Sequence, residues 1–186
     1  FEMTSLRLLL CAFTIVVYRA SAACDFPNGT ATQLHWWQCG GAPKIVFNTA
    51  ETVDNQGNPE YPIRLTEPMY VHTTLTNNLE ILKDPNMLEN VQIWQYTQGW
   101  STTSCSWELV PTFDLLTNLN ACEVGVQCPI AMGEQKVTVT LDFTMFSFIV
   151  SGLPNDVPYM MEISLKDKTT GDTACIRAQA RALTKK

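Results

Sequence analysis

The chain has 186 residues, 46% of them hydrophobic and 16% charged, with a formal net charge of −6 at pH 7. An acidic chain without a basic patch argues against nucleic acid as a partner, because that affinity comes from Lys and Arg neutralising phosphates. The length is that of one domain, and the sequence pI of about 4.8 means that repulsion from anionic membrane surfaces fades in an acidic lumen.

In chain order, the first element is an export signal over residues 1–22, leaving residues 23–186 as the mature domain. Arg7 supplies the positive start, Leu8 to Tyr18 an apolar run, and Ala20-Ser21-Ala22 the small-x-small pattern before a cut at Ala23. The run is too short to span a bilayer, which takes about 20 residues. Cys11 leaves with the signal. Cys24, Cys39, Cys105, Cys122, Cys128 and Cys175 remain, an even number that in an exported chain reads as three disulfides. Asn28-Gly29-Thr30 is a glycosylation acceptor at Asn28.

KIVFNTAETV, PIRL, PMYVHTTLT, NLEIL and NVQIWQY follow as short β-branched or aromatic runs between Asn, Pro and Gly clusters. PTFDLLTNLN hints at a short helix, with Phe113, Leu116 and Leu119 on one face. KVTVTLDFTM is the clearest strand: Val137, Val139, Leu141, Phe143 and Met145 alternate with polar residues. Phe146, Phe148, Ile149 and Val150 then break the alternation. That break reads as a strand buried on both faces, a β-bulge, or the apolar lip of a cavity. In YMMEISLKD, Tyr159, Met161, Ile163 and Leu165 share one face, the turn DKTTGD follows, and CIRAQARAL places Ile176, Ala178, Ala180 and Ala182 together. Seven or eight short strands make an all-β fold, a sandwich or barrel.

CEVGVQCPIAMG, from Cys122 to Gly133, reads as a metal clip, a reactive thiol pair or a covalent staple. Zinc needs about four nitrogen or sulfur ligands, and the two histidines, His35 and His72, stand in no paired spacing. A redox pair wants two residues between its cysteines. No Gly-x-Ser-x-Gly elbow is present for nucleophilic hydrolysis. The reading is of a protein without catalytic residues, metal or cofactor, in which the pair is a staple.

With these pieces placed, the mature chain resembles the ML lipid-recognition family. The resemblance rests on HWWQC around Cys39, SCSWE at Ser104–Glu108, CEVGVQCPIAMG, and YMMEISLKDKTTGDTACIRAQARAL from Tyr159 to Leu183. The strands are most similar to the ganglioside-activator branch and the cysteine loop to the lysosomal sterol-carrier branch. The resemblance implies bridges Cys39–Cys175, Cys122–Cys128 and Cys24–Cys105. It implies an immunoglobulin-like β-sandwich or cup of two antiparallel sheets around a hydrophobic cavity.

The implied function is non-enzymatic: extraction of a glycolipid, phospholipid, sphingolipid or sterol from a membrane, with transient membrane contact and a lysosomal glycosidase as partner enzyme. The implied location is the secretory pathway, in the lysosomal lumen or outside the cell; a secreted module of signalling or innate immunity is the alternative. An eighteen-carbon chain leaving a membrane forfeits on the order of 14 kcal/mol, which demands a dry interior. Val139, Leu141, Phe143, Met145, Tyr159, Met161 and Ile163 are the inward candidates. Phe146, Phe148, Ile149, Leu153 and Trp100 are candidates for the rim, and Trp94 and Trp107 for rim or core.

Overall fold

The computed structural model describes residues 24–40, 44–78, 85–99 and 104–185. The expected export signal, most of NLEIL and Trp100 lie outside the described residues. Among those described, ten strands form two sheets. The larger runs β1 (His35–Gln38), β10 (Thr173–Leu183), β9 (Val157–Asp167), β5 (Met87–Gln98), β6 (Cys105–Leu109). Two short strands extend its edges: β3 (Ile63–Arg64) lies parallel to β10, and β7 (Leu119–Asn120) antiparallel to β5. The smaller sheet is β2 (Ile45–Val53), β4 (Met69–Asn77), β8 (Gly133–Leu141), antiparallel throughout.

The sandwich follows from period-two patterning. Side chains on a strand point alternately to the two faces, so each alternating run gives one face to the interior. β9 and β10 pair from Lys166–Thr173 to Val157–Ala182. Their turn is fixed by the Asp167 carboxylate, which accepts from the amides of Thr169 (2.7 Å) and Thr170 (2.8 Å). Gly171 closes the turn at φ +74°, a region that favours glycine.

Three disulfides are present: Cys24–Cys105, Cys39–Cys175 and Cys122–Cys128. The second joins the end of β1 to β10, where the Cys39 amide also donates to the Cys175 carbonyl (3.0 Å). The first holds the N-terminal segment on the outer face of the larger sheet. There the Asn28 amide donates to Gln179 (2.7 Å), and Tyr61 donates its hydroxyl to the Thr30 carbonyl while accepting from the Arg181 amide (2.7 Å). Arg181 in turn grips both carboxylate oxygens of Asp156 and lies 5.4 Å from the Phe26 ring. Asn28 itself is exposed, in the 3-10 turn Pro27–Gly29.

Two sequence readings are corrected. β8 stops at Leu141. Asp142 accepts from the amide (2.9 Å) and hydroxyl (2.6 Å) of Thr144, which turns the chain into a 3-10 turn (Thr144–Phe146). A short helix follows, labelled α2 (Ser147–Gly152). The break in alternation is therefore helical and not a doubly buried strand or bulge. PTFDLLTNLN, in contrast, forms no helix. Phe113 and Asp114 adopt φ of 52° and 59°, so that Phe113 points outward while Leu116 is buried. The helix in this region is α1 (Ala121–Val124), capped by the Asn120 side chain on the Cys122 amide (3.2 Å).

The Cys122–Cys128 loop lies along the free edge of β8. Val126 bridges Val139, and the Thr140 amide donates to the Gly125 carbonyl (2.9 Å). It therefore covers the edge of the smaller sheet. No helix among the described residues is long and apolar enough to cross a membrane.

Candidate functional site

Between the two sheets lies a cavity of about 90 Å³. Its walls come from every layer: Phe47, Ala50 and Thr52 of β2, Met69, Val71 and Thr73 of β4, Val139 and Leu141 of β8, with Ile93 of β5. β9 contributes Tyr159, Met161, Ile163 and Leu165, and β10 contributes Ile176, Ala178 and Ala180; Leu34, Ile63, Leu65 and Val126 complete the lining. Val71, Val139, Met161, Ile163, Ile176 and Ala178 face inward yet are only half-buried. Unfilled space in front of them accounts for that accessibility, since a close-packed core leaves few voids larger than a water.

Only three lining residues carry polar side-chain atoms, and all three are engaged by backbone. Thr52 donates to the Glu60 carbonyl (2.7 Å), Thr73 to Thr49 (2.6 Å) and Tyr159 to Pro154 (2.7 Å). Burial also pushes the Tyr159 phenol pKa far up, so it stays a neutral donor. What faces the cavity is hydrocarbon.

Two apolar clusters close the ends. One gathers Ile63, Leu65, Val110, Leu116, Phe143, Val150 and Leu153; the other gathers Ile45, Leu75, Met87, Ile130 and Val137. Of the candidates named from sequence, Val139, Leu141, Tyr159, Met161 and Ile163 line the cavity. Phe143 and Leu153 are buried in the first cluster, with Phe146 and Ile149 packed against it.

Met145 is 82% exposed and Phe148 59%, because the helical turn swings them away from the inward face expected for Met145. Trp94 alternates with inward Ile93, so it stands on the outer face, 5.5 Å from the Arg177 guanidinium. Trp107 pairs with Tyr96 on that same face, at 4.9 Å. Neither tryptophan is part of the cavity lining. Sequence reasoning missed Val126, inside the staple loop, for which the sequence carries no periodic signal. The alternation of Met69, Val71 and Thr73 was available and marks β4 as a wall.

One polar group breaks the inner pattern. Glu89 lies on β5 in the inward row Met87, Glu89, Val91, Ile93, each 5% exposed or less. Its Oε2 is the one buried side-chain nitrogen or oxygen among the described residues that lacks a hydrogen-bond partner. Burial alone raises its pKa to about 7.

Potential metal ligands come together, among the described residues, at Cys39, Cys175 and Glu162. The two cysteines are joined to each other and Glu162 is paired with Arg177, so none is available. Three disulfides fit an oxidising compartment.

The crystal structure of a Niemann-Pick type C2 protein from Japanese carpenter ant is similar over 80% of this chain and 98% of that one, at 13% identity and a TM-score of 0.43. Chicken MD-1 complexed with lipid IVa is similar over 80% and 98%, at 12% identity and a TM-score of 0.31. The C-terminal domain of wzt gives 82% and 80%, at 6% identity and 0.37. No curated protein sequence matches the chain. The family model described as the ML domain matches residues 33–182, which include nine whole strands and most of β10. On that match, the chain belongs to the ML domain family of lipid-binding proteins.

Proposed function

We propose that this protein is a non-enzymatic lipid carrier that lifts a glycolipid, sphingolipid or related amphiphile from a membrane and transfers or presents it. The observation that carries the reading is the cavity between the sheets, in which every lining hydroxyl is already engaged by backbone. Such a lining offers a hydrocarbon chain a dry interior and leaves the head group at the mouth. A cavity of about 150 Å³ accepts a benzene-sized guest, so 90 Å³ is a resting volume. The sheets part to admit a full chain, and the half-buried inward residues are the ones that gain contacts.

Membrane contact is assigned to apolar side chains at one end of the sandwich. Phe113 (75% exposed) and Leu115 come from a segment anchored by Val110 and Leu116. Met145 and Phe148 come from the segment anchored by Phe143, Val150 and Leu153, and all five anchors belong to one cluster. Rigid roots with exposed apolar tips suit insertion into the headgroup boundary. The acidic pI favours such contact in an acidic lumen, and a glycosidase acting on the presented glycolipid is the partner enzyme this reading names.

Native mass spectrometry of gently purified protein, followed by a vesicle-to-vesicle transfer assay, tests the proposal. Bound lipid masses and catalytic transfer are the expected results. Retention of lipid without transfer favours a recognition module, and protein that neither holds nor acquires lipid overturns the reading.

A further inference from the structure

We infer that occupancy of the cavity is coupled to the protonation of Glu89: a neutral Glu89 favours an uncharged hydrocarbon guest, and its ionisation expels that guest. The inference rests on the lipid-carrier reading and assigns a proton as the regulator of the same cavity.

The geometry begins with strand register. Glu89 pairs with Leu165 of β9, and Val91, next along the inward row, pairs with Ile163. Leu165 and Ile163 both line the cavity. On its other flank Glu89 pairs with Leu119 of β7. A buried glutamate thus stands beside a residue of the cavity wall on the neighbouring strand.

Among the described residues, no counter-charge faces it from the packed elements. On β9, Lys166 is exposed and points to the other face, while the Asp167 carboxylate is held by the Thr169 and Thr170 amides. On α1, Glu123 is exposed. Across the sandwich, β8 turns Val137 and Val139 inward and leaves Lys136 exposed. Thr73 of β4 already donates to Thr49, and His72 is exposed. Burial is correspondingly the sole cause of the raised proton affinity of Glu89.

A carboxylate in this position must recruit water, since an unpaired charge in an apolar interior is strongly unfavourable. The cavity, lined by its strand partner Leu165, offers room for that water. Water and hydrocarbon then compete for one space, and the proton decides between them. Linkage makes the effect reciprocal: a guest that excludes water must raise the proton affinity of Glu89.

The test uses dehydroergosterol, a fluorescent sterol, and an uncharged NBD-labelled ceramide, neither of which titrates between pH 5 and 8.5. For the wild-type protein, affinity for whichever probe binds should fall about tenfold or more between pH 6 and 8.5. Glu89→Gln keeps the shape and removes the titration, and should bind equally across that range. Calorimetry of the wild type at pH 8 in buffers of different ionisation enthalpy should show proton uptake on binding, a readout that does not depend on the variant folding. A flat wild-type profile, an unchanged slope in Glu89→Gln, or zero proton uptake overturns the coupling while leaving the carrier reading intact. Failure of both probes and of all copurified lipids to bind at any pH overturns both.

Discussion

Gly125 lies so close to Thr140 that a Cβ on it would sit 1.8 Å from the Thr140 carbonyl oxygen. The staple loop can reach the edge of β8 only because this residue has no side chain, and its φ of 152° also favours glycine. Gly125→Ala must push the loop off the strand, breaking the Thr140–Gly125 hydrogen bond and the Val126–Val139 bridge. The expected loss is about 1–3 kcal/mol, read as a lowered midpoint in urea unfolding monitored by circular dichroism.

The three disulfides should differ in weight. On the chain-entropy estimate, the bridge across 136 positions, Cys39–Cys175, contributes about 5 kcal/mol and the six-position Cys122–Cys128 bridge about 2 kcal/mol. Cys122→Ser with Cys128→Ser should fold but lose stability and lipid retention, because Val126 is released from the cavity wall. Removal of Cys39 and Cys175 should cost more stability, and thermal unfolding of the two double variants gives the order.

Stability should fall between pH 4.5 and 7 on account of Glu89. Its unfolded carboxyl releases a proton near 4.5, its folded one at about 7. Between those values the folded state holds the extra proton, so raising the pH favours unfolding by up to roughly 3 kcal/mol in this window. Asp156 acts oppositely in another range: its hydrogen bonds with Arg181 lower its pKa from 3.8, so its contribution is lost in acid below that range. Glu89→Gln should therefore be more stable than wild type at pH 8 and lose the decline, as urea midpoints at stepped pH will report.

Filling the cavity should block lipid without abolishing the fold. Ala178 lines it and is half-buried in mid-strand. Ala178→Phe puts a ring into the resting space at an overpacking cost of about 1–3 kcal/mol. Probe affinity is expected to drop at least tenfold while the far-ultraviolet dichroism spectrum keeps its β signature.

Exposed apolar tips should matter at membranes and little for stability. Met145→Lys with Phe148→Glu alters side chains that are 82% and 59% exposed. Unfolding midpoints should move by less than about 0.5 kcal/mol each, whereas transfer between vesicles slows several-fold. An unchanged transfer rate would remove this surface from the mechanism.

Strand patterning was legible wherever one face is buried and the other wet. β8, β9 and β10 follow from the alternations starting at Val137, Tyr159 and Ile176, and each gives residues to the cavity. Legibility ended where a local cap overrode the pattern. Phe143, Phe146, Val150 and Leu153 carry a three- to four-residue spacing that reads as a helical face. Asp142 supplies the turn that starts it, but a strand continuing from Leu141 hid both signals. Glu89 was invisible for another reason: one acid in MLEN looks like a solvated strand residue until sheet pairing fixes which way it points.

The three cavity hydroxyls, each tied to a backbone carbonyl, leave the interior chemically indifferent to its guest. A pocket that recognises by hydrogen bonds rejects analogues steeply, whereas one that offers only contact and volume discriminates weakly between homologous chains. Selection among lipids then falls to the mouth, where head groups remain in water. The tail region behaves as a container graded by size, so a single preparation should hold a family of chain lengths rather than one compound.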